Sequence, residues 1–321
     1  MSNAKSLKAS ASFKNNINKY AIYIVFVVVC VLLAIVEPAF VSKGNILNVL
    51  RQISITGYIA VGMLMVIITG GIDLSAGVMV GLCASIGADF AHTGQNPIVG
   101  VLVGVGLGAL CGAISGGLIS YLKLPAFIAT LGVKLMVNGA ALVYTDGHPT
   151  TNLSEGFLFI GGGSILGIPV PVWILVICLA VGGFLLKCTK FGRYVYAIGG
   201  NELAAQLSGV NVKLVKLAVY VLSGLFAGLS GVVLASRVSA GSPVAGLNYE
   251  MDAITICVIG GCSLSGGSGT IGGTIAGMLL IGVITNGMNL MNISSYWQLI
   301  VKGVIIVLAV IFDMYSKKRK S

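Results

Sequence analysis

Five ionisable side chains fall within apolar stretches of this sequence: Asp73, Asp89, Lys134, Asp252 and Lys302. In hydrocarbon a charge is expensive, so such residues face a bundle interior or a water-filled path, and they point to ion or solute movement. Asp73, Asp89 and Asp252 lie near the ends of their apolar runs, where interfacial anchoring or an internal ion pair is the plainer expectation. A carrier driven by protons or sodium would favour carboxylates nearer mid-span. Lys134 lies well inside its run, and Thr130, Lys134 and Asn138 follow one another at i+4, on one helix face. Such a stripe can line a path for a hydroxylated solute, or it can be hydrogen-bonding glue between helices. Asp73, Ser75, Thr130, Lys134 and Asn138 are the candidates for a translocation path.

A second feature is the segment FGRYVYAIGGNELAAQLSGVN at 191–211. Asn201 can cap a short helix, with Glu202 in its first turn favouring the dipole. Leu203, Ala204, Ala205 and Leu207 make that helix small and apolar, and Ser208-Gly209 can end it. A short apolar helix in a loop suits a groove on a partner, or packs on the protein's own surface.

Catalytic chemistry finds no such support. No HExxH, GxSxG or Walker A lysine motif occurs, and His92 and His148 are far apart in sequence. Catalysis needs a nucleophile and base pair, and none is legible, so the catalytic and metal sets are empty. Gly267-x-Gly269-x-x-Gly272 fits a dinucleotide fingerprint literally, but no strand precedes it and no acidic residue follows at the required distance.

The elements that must position these residues are membrane helices. Of 321 residues, 57% are hydrophobic and only 9% charged, against about 25% charged in soluble domains. Mean hydropathy is +1.03. This excludes a soluble enzyme and a disordered chain, which needs low hydrophobicity and high charge. Apolar runs near 21–36, 54–70, 76–91, 97–121, 125–145, 171–187, 214–236, 251–262, 271–289 and 296–313 predict an all-α polytopic membrane protein of about ten spans. The first run follows Lys5, Lys8, Lys14 and Lys19 and reads as a retained span. Residues 42–51 read as an interfacial helix. With the N-terminus cytoplasmic, fourteen basic residues fall inside: the first four lysines, Lys123, five between Lys187 and Lys216, and four from Lys317 to Lys320. Only Lys43, Arg51 and Arg237 fall outside. Both termini are therefore expected in the cytoplasm, as a basic tail at 1–19, one transmembrane domain at 20–314 with its loop at about 188–213, and a basic tail at 315–321. The net charge of +10 belongs to this asymmetry rather than to nucleic-acid binding.

Gly100, Gly104, Gly108, Gly112 and Gly116 make one smooth face, repeated on a smaller scale by Gly224/Gly228 and Gly273/Gly277. Such faces permit close backbone approach in lipid. GGIDLSAG at 70–77 and GGCSLSGG at 260–267 agree at five of eight positions, and both interrupt apolar runs. Paired interruptions often border a transporter's pathway. The seven cysteines form no CxxC pair and read as packing residues.

The loop resembles the GxxxxAxGxNxxAAxxSGI pattern of permease subunits from bacterial sugar ABC importers of the ribose type, departing only at Val210. The stretches 60–75, 125–132, 143–147, 260–273 and 294–302 resemble the same family, so the likeness runs from about 38 to 313. It implies the type II ABC importer permease fold and two permease copies in a homodimer within the bacterial inner membrane. It also implies a cytoplasmic ATPase that binds Gly200, Asn201, Glu202, Leu203, Ala204, Ala205, Leu207, Ser208 and Gly209. ATP and magnesium would be used by that ATPase, with no cofactor on this chain, and a periplasmic binding protein would deliver the sugar. D-ribose is the expected solute. Another sugar, autoinducer-2 or a branched-chain amino acid in the same superfamily are the alternatives, and a stand-alone secondary carrier is the rival of another class.

Overall fold

The computed structural model describes residues 22–318; the expected basic tail at 1–19 and the last three residues of that at 315–321 lie outside them. Every apolar run becomes a helix. In chain order they are α1 (Ile22–Val36), α2 (Lys43–Ile68), α3 (Ala76–Asp89), α4 (Pro97–Ser120), α5 (Ala126–Thr145), α6 (Glu155–Gly162), α7 (Val170–Cys188), α8 (Lys190–Gly200), α9 (Glu202–Leu207), α10 (Val212–Val238), α11 (Tyr249–Ile259), α12 (Ile271–Leu290) and α13 (Ser295–Lys318). Among the described residues, six (α2, α4, α5, α7, α10 and α12) are long and apolar enough to cross a membrane, and α1, α3 and the apolar part of α13 are shorter. A small hairpin, Ser164–Ile165 paired with Ile168–Pro169, turns at Leu166 and Gly167, both at positive φ.

Polar caps start the helices where the sequence interrupts its apolar runs. Asn96 accepts from the Ile98 N–H at 3.0 Å ahead of Pro97, Asn211 from Leu214 at 3.2 Å, and Thr270 from Gly273 at 3.0 Å. The expected interfacial helix at 42–51 is corrected: those residues are the first turns of α2, which runs unbroken to Ile68. Asn45 and Asn48 find partners on other helices, while the buried Arg51 Nε has none among the described residues. Asn45 and Asn286 exchange two hydrogen bonds of 2.9 Å, and Asn48 accepts from Arg237 at 3.2 Å.

α2 is buried nearly all round from Ile53 to Ile68, and α10 packs on α2, α3 and α4. The glycine face of α4 lies where expected. A Cβ at Gly108 or Gly112 would meet the α10 backbone at Gly224 or Tyr220, and one at Gly100 would meet the α3 backbone at Gly87. Gly273 and Gly277 do the same against Gly260, the C-cap of α11, and Ile256 within that helix.

The connection from α10 to α11 does not stay at the bundle's end. It runs back along α3: Gly241 touches Ala84 and Ala88, the carbonyls of Pro243 and Ala245 cover Gly81, and Gly246 with Glu250 reaches Gly77. α3 is about 21 Å long at 1.5 Å per residue, so α11 starts that far inside the bundle, beside the first turn of α3.

Candidate functional site

The loop at 188–213 contains two helices, not one. Thr189 caps α8 by accepting from the Gly192 N–H at 3.2 Å. α9 is the short helix expected: Asn201 Oδ1 accepts from the Ala204 N–H at 2.9 Å, and Gly209 leaves it at φ +84°. Glu202 pairs with Lys216 of α10 at 2.7 Å. Ala205 is 5% exposed and seats α9 on the bundle, while Leu203 and Leu207 are 66% and 81% exposed. Two leucines at i and i+4 on so short a helix form an apolar face left uncovered by the described residues.

α8 binds this face to the two glycine-rich interruptions. Gly199 sits where a Cβ would overlap the carbonyl oxygen of Ile68, at the end of α2, and the amide of Gly267. The Gly267 N–H donates to that same carbonyl at 2.9 Å. Tyr196 donates its hydroxyl to the Gly269 carbonyl at 2.7 Å; burial pushes this phenol up from its ordinary value, so it remains a donor. The two look-alike stretches therefore meet, with α8 wedged against both. They also share a turn: the Ser75 N–H donates to Asp73 Oδ1 at 3.0 Å, and the Ser265 N–H to Ser263 Oγ at 3.3 Å.

The path candidates divide. Asp73 is not an interfacial anchor. It is 0% exposed in the break between α2 and α3, and its carboxylate accepts from the Ser75 N–H, the Ser75 hydroxyl and, at 2.8 Å, the Ser223 hydroxyl of α10. Ser75 is equally buried and lies 3.4 Å from Ser115 Oγ of α4. Thr130 donates to the Ala126 carbonyl at 2.8 Å and lies 3.2 Å from the Ile72 carbonyl, tying α5 to that break. Lys134 pairs with Glu250, while Asn138 is half-buried further along α5. Lys302 pairs with Asp252 at 2.8 Å, joining α13 to α11. Asp73, Ser75, Thr130 and Lys134 therefore gather around the first turn of α3.

Comparisons with known proteins agree along most of the chain. Residues 45–310 match the family described as "Branched-chain amino acid transport system / permease component". The chain is 44% identical to the ribose import permease protein of Haemophilus influenzae, over 93% of this chain and 94% of that one. It is 39% identical to the L-arabinose transport system permease protein of Escherichia coli K12, over 98% and 95%. It is 36% identical to the L-arabinose ABC transporter permease protein of Azospirillum brasilense, over 95% and 90%. The chain belongs to this permease family. No solved structure matches the permease significantly.

The residue that sequence reasoning missed is Glu250. It stands one position before the apolar run at 251–262 and so looked like a loop residue; two acids in one first turn, Glu250 and Asp252, were the available signal. In the permease it is 0% exposed, with Oε1 on Lys134 and Oε2 lacking a hydrogen-bond partner among the described residues. Oε2 occupies the space a Cβ at Gly77 would take, at the positive end of the α3 dipole. Removing one member of a buried pair strands the other charge, at about 3–5 kcal/mol. Lys134→Met is therefore expected to lower the midpoint of thermal unfolding strongly, and Lys134→Met with Glu250→Gln to recover most of the loss. A double variant no more stable than the single would show that the pair does not hold the site together.

At the other end of α5, Asp89, His92, Tyr144 and His148 line a cavity of ≈ 540 Å³. Tyr144 donates to Asp89 at 2.6 Å, and the His92 ring faces Asp89 at 3.2 Å and the Asn152 carbonyl at 3.3 Å. The two histidines, distant in sequence, thus share one polar mouth of the permease.

Proposed function

We propose that this chain is the membrane-spanning subunit of an ATP-driven monosaccharide importer and that its solute is D-ribose. The observation that carries the coupling is α9: a helix seated through Ala205, tethered through Glu202, and presenting Leu203 and Leu207 to a partner. A cytoplasmic ATPase is the partner such a face serves, because α8 links it directly to the ends of α2 and α12. The relatives support the sugar, ribose ahead of arabinose by identity.

Ten helices (α1–α5, α7 and α10–α13) enter or cross the bilayer, with α3 and α11 too short to span alone. Both termini and α9 lie in the cytoplasm, consistent with fourteen basic residues against three. Two copies form the membrane core, and the mouth at Asp89 and His92 faces a periplasmic binding protein. The polar groups around Asp73 and Thr130 border the path. Their hydrogen bonds are already spent within the protein, so sugar is held weakly and can be released.

The test is uptake of labelled ribose and arabinose in a host lacking its own permeases for them, with the cognate ATPase and binding protein supplied. Ribose should accumulate, and a hydrolysis-dead ATPase should stop it. Accumulation with no ATPase present would overturn the reading in favour of a stand-alone carrier. Arabinose accumulation alone would overturn the choice of sugar.

A further inference from the structure

A cavity of ≈ 870 Å³ opens beside α9, between the start of α10 and the turn joining α4 to α5. Its walls carry Lys123, Lys213 and Lys216 against a single acid, Glu202. Lys123 is held there by a left-handed backbone (φ +56°), and Lys213 lies 5.9 Å from the Tyr121 ring centre. The floor is polar and unsatisfied. Ser120 Oγ and the Tyr220 hydroxyl are buried, line the cavity, and donate to no acceptor among the described residues; the Ile72 backbone N–H approaches the Tyr220 oxygen, which leaves the phenol's own proton to give. Buried hydroxyls ordinarily have partners. Three lysines, one of them paired with Glu202, together with two hydroxyls that have protons to give, match an anion carrying hydroxyl groups, because charge-assisted hydrogen bonds to phosphate are among the strong ones.

We propose that this cavity binds a phosphorylated polyol, either a soluble sugar phosphate or the phosphate-bearing head of an anionic lipid. The phosphate lies among Lys123, Lys213 and Lys216, and the hydroxyl groups reach Ser120 and Tyr220. Lys216 is also the tether of Glu202, the first residue of α9. An occupant that draws on Lys216 therefore changes how firmly α9 is held. If the solute is a sugar and this face is cytoplasmic, as proposed above, the phosphate ester of the imported sugar restrains its own importer.

Calorimetric titration of the full chain, purified in detergent free of phospholipid, tests this with ribose 5-phosphate, inorganic phosphate and ribose as probes. Ribose 5-phosphate should bind, inorganic phosphate more weakly, and ribose not at all over the same range. Lys123→Gln with Lys213→Gln should weaken binding by about tenfold or more while leaving thermal unfolding of the unliganded chain unchanged. Native mass spectrometry of chain taken directly from membranes supplies the second arm. A retained phospholipid that the double variant loses assigns the site to a lipid head. Ribose 5-phosphate binding with no retained lipid assigns it to the soluble ester. Neither result, or binding equal in the double variant, overturns the proposal. Neither arm depends on transport, so a failed uptake experiment leaves this test intact.

Discussion

Changing Leu203 and Leu207 together to aspartate is expected to abolish uptake while the chain still inserts and folds. Both side chains are mostly exposed, so the chain loses little by their replacement. A partner groove that buries them loses about 1.5–3 kcal/mol for each, and it must also strip water from two carboxylates. Since about 1.4 kcal/mol is a factor of ten, ATPase affinity should fall by a hundredfold or more. Co-purification of the ATPase and uptake, measured on the same membranes, should disappear together. Retained co-purification would mean that α9 is not the docking element. Ala205→Trp is a different experiment. Ala205 faces the bundle, so that change lifts α9 off its seat rather than blunting its outer face.

The second large effect is at Gly199. Replacing it by alanine puts a methyl group into two backbone atoms, the Ile68 carbonyl oxygen and the Gly267 amide nitrogen. Backbone cannot swing aside as a side chain can, so the cost should reach the upper end of overpacking penalties, about 3 kcal/mol or more. The clash also parts α8 from the ends of α2 and α12, and uptake should fall to background. Gly200→Ala is the control, because a Cβ there meets nothing within 4 Å. Equal uptake by the two variants would show that the wedge transmits nothing.

The legible features were those written in short-range pattern. The cap at Asn201 and the stop at Gly209 follow from residue type and spacing within one or two turns. So does the packing of α4, because glycine every four residues on an apolar helix has few uses besides close approach. What could not be read depends on pairs distant in the chain. Residues 42–51 read as an interfacial helix, and the contacts that join this stretch to the bundle, Asn45 with Asn286 and Asn48 with Arg237, come from about two hundred positions away. The run 239–248 has neither helical nor strand periodicity, so nothing in it announces a path back along α3. Glu250 was hidden for the same reason: its burial comes from that path, and its counter-charge comes from α5. The look-alike stretches were visible, but their meeting at Gly199 required a third segment that resembles neither.

The seam between α4 and α10 has a mechanical consequence. Where Gly108 and Gly112 meet Gly224 and Tyr220, backbone rests on backbone, with no side chain between them to change rotamer and absorb a displacement. Such a joint has no slack. α4 and α10 therefore travel as one strut, joined to α3 through Gly87 and Gly100 and to the Lys216 tether at its foot. Any gate in this molecule hinges elsewhere, along contacts such as α2 with α7, where Val61, Met65 and Leu175 supply flexible side chains that can repack.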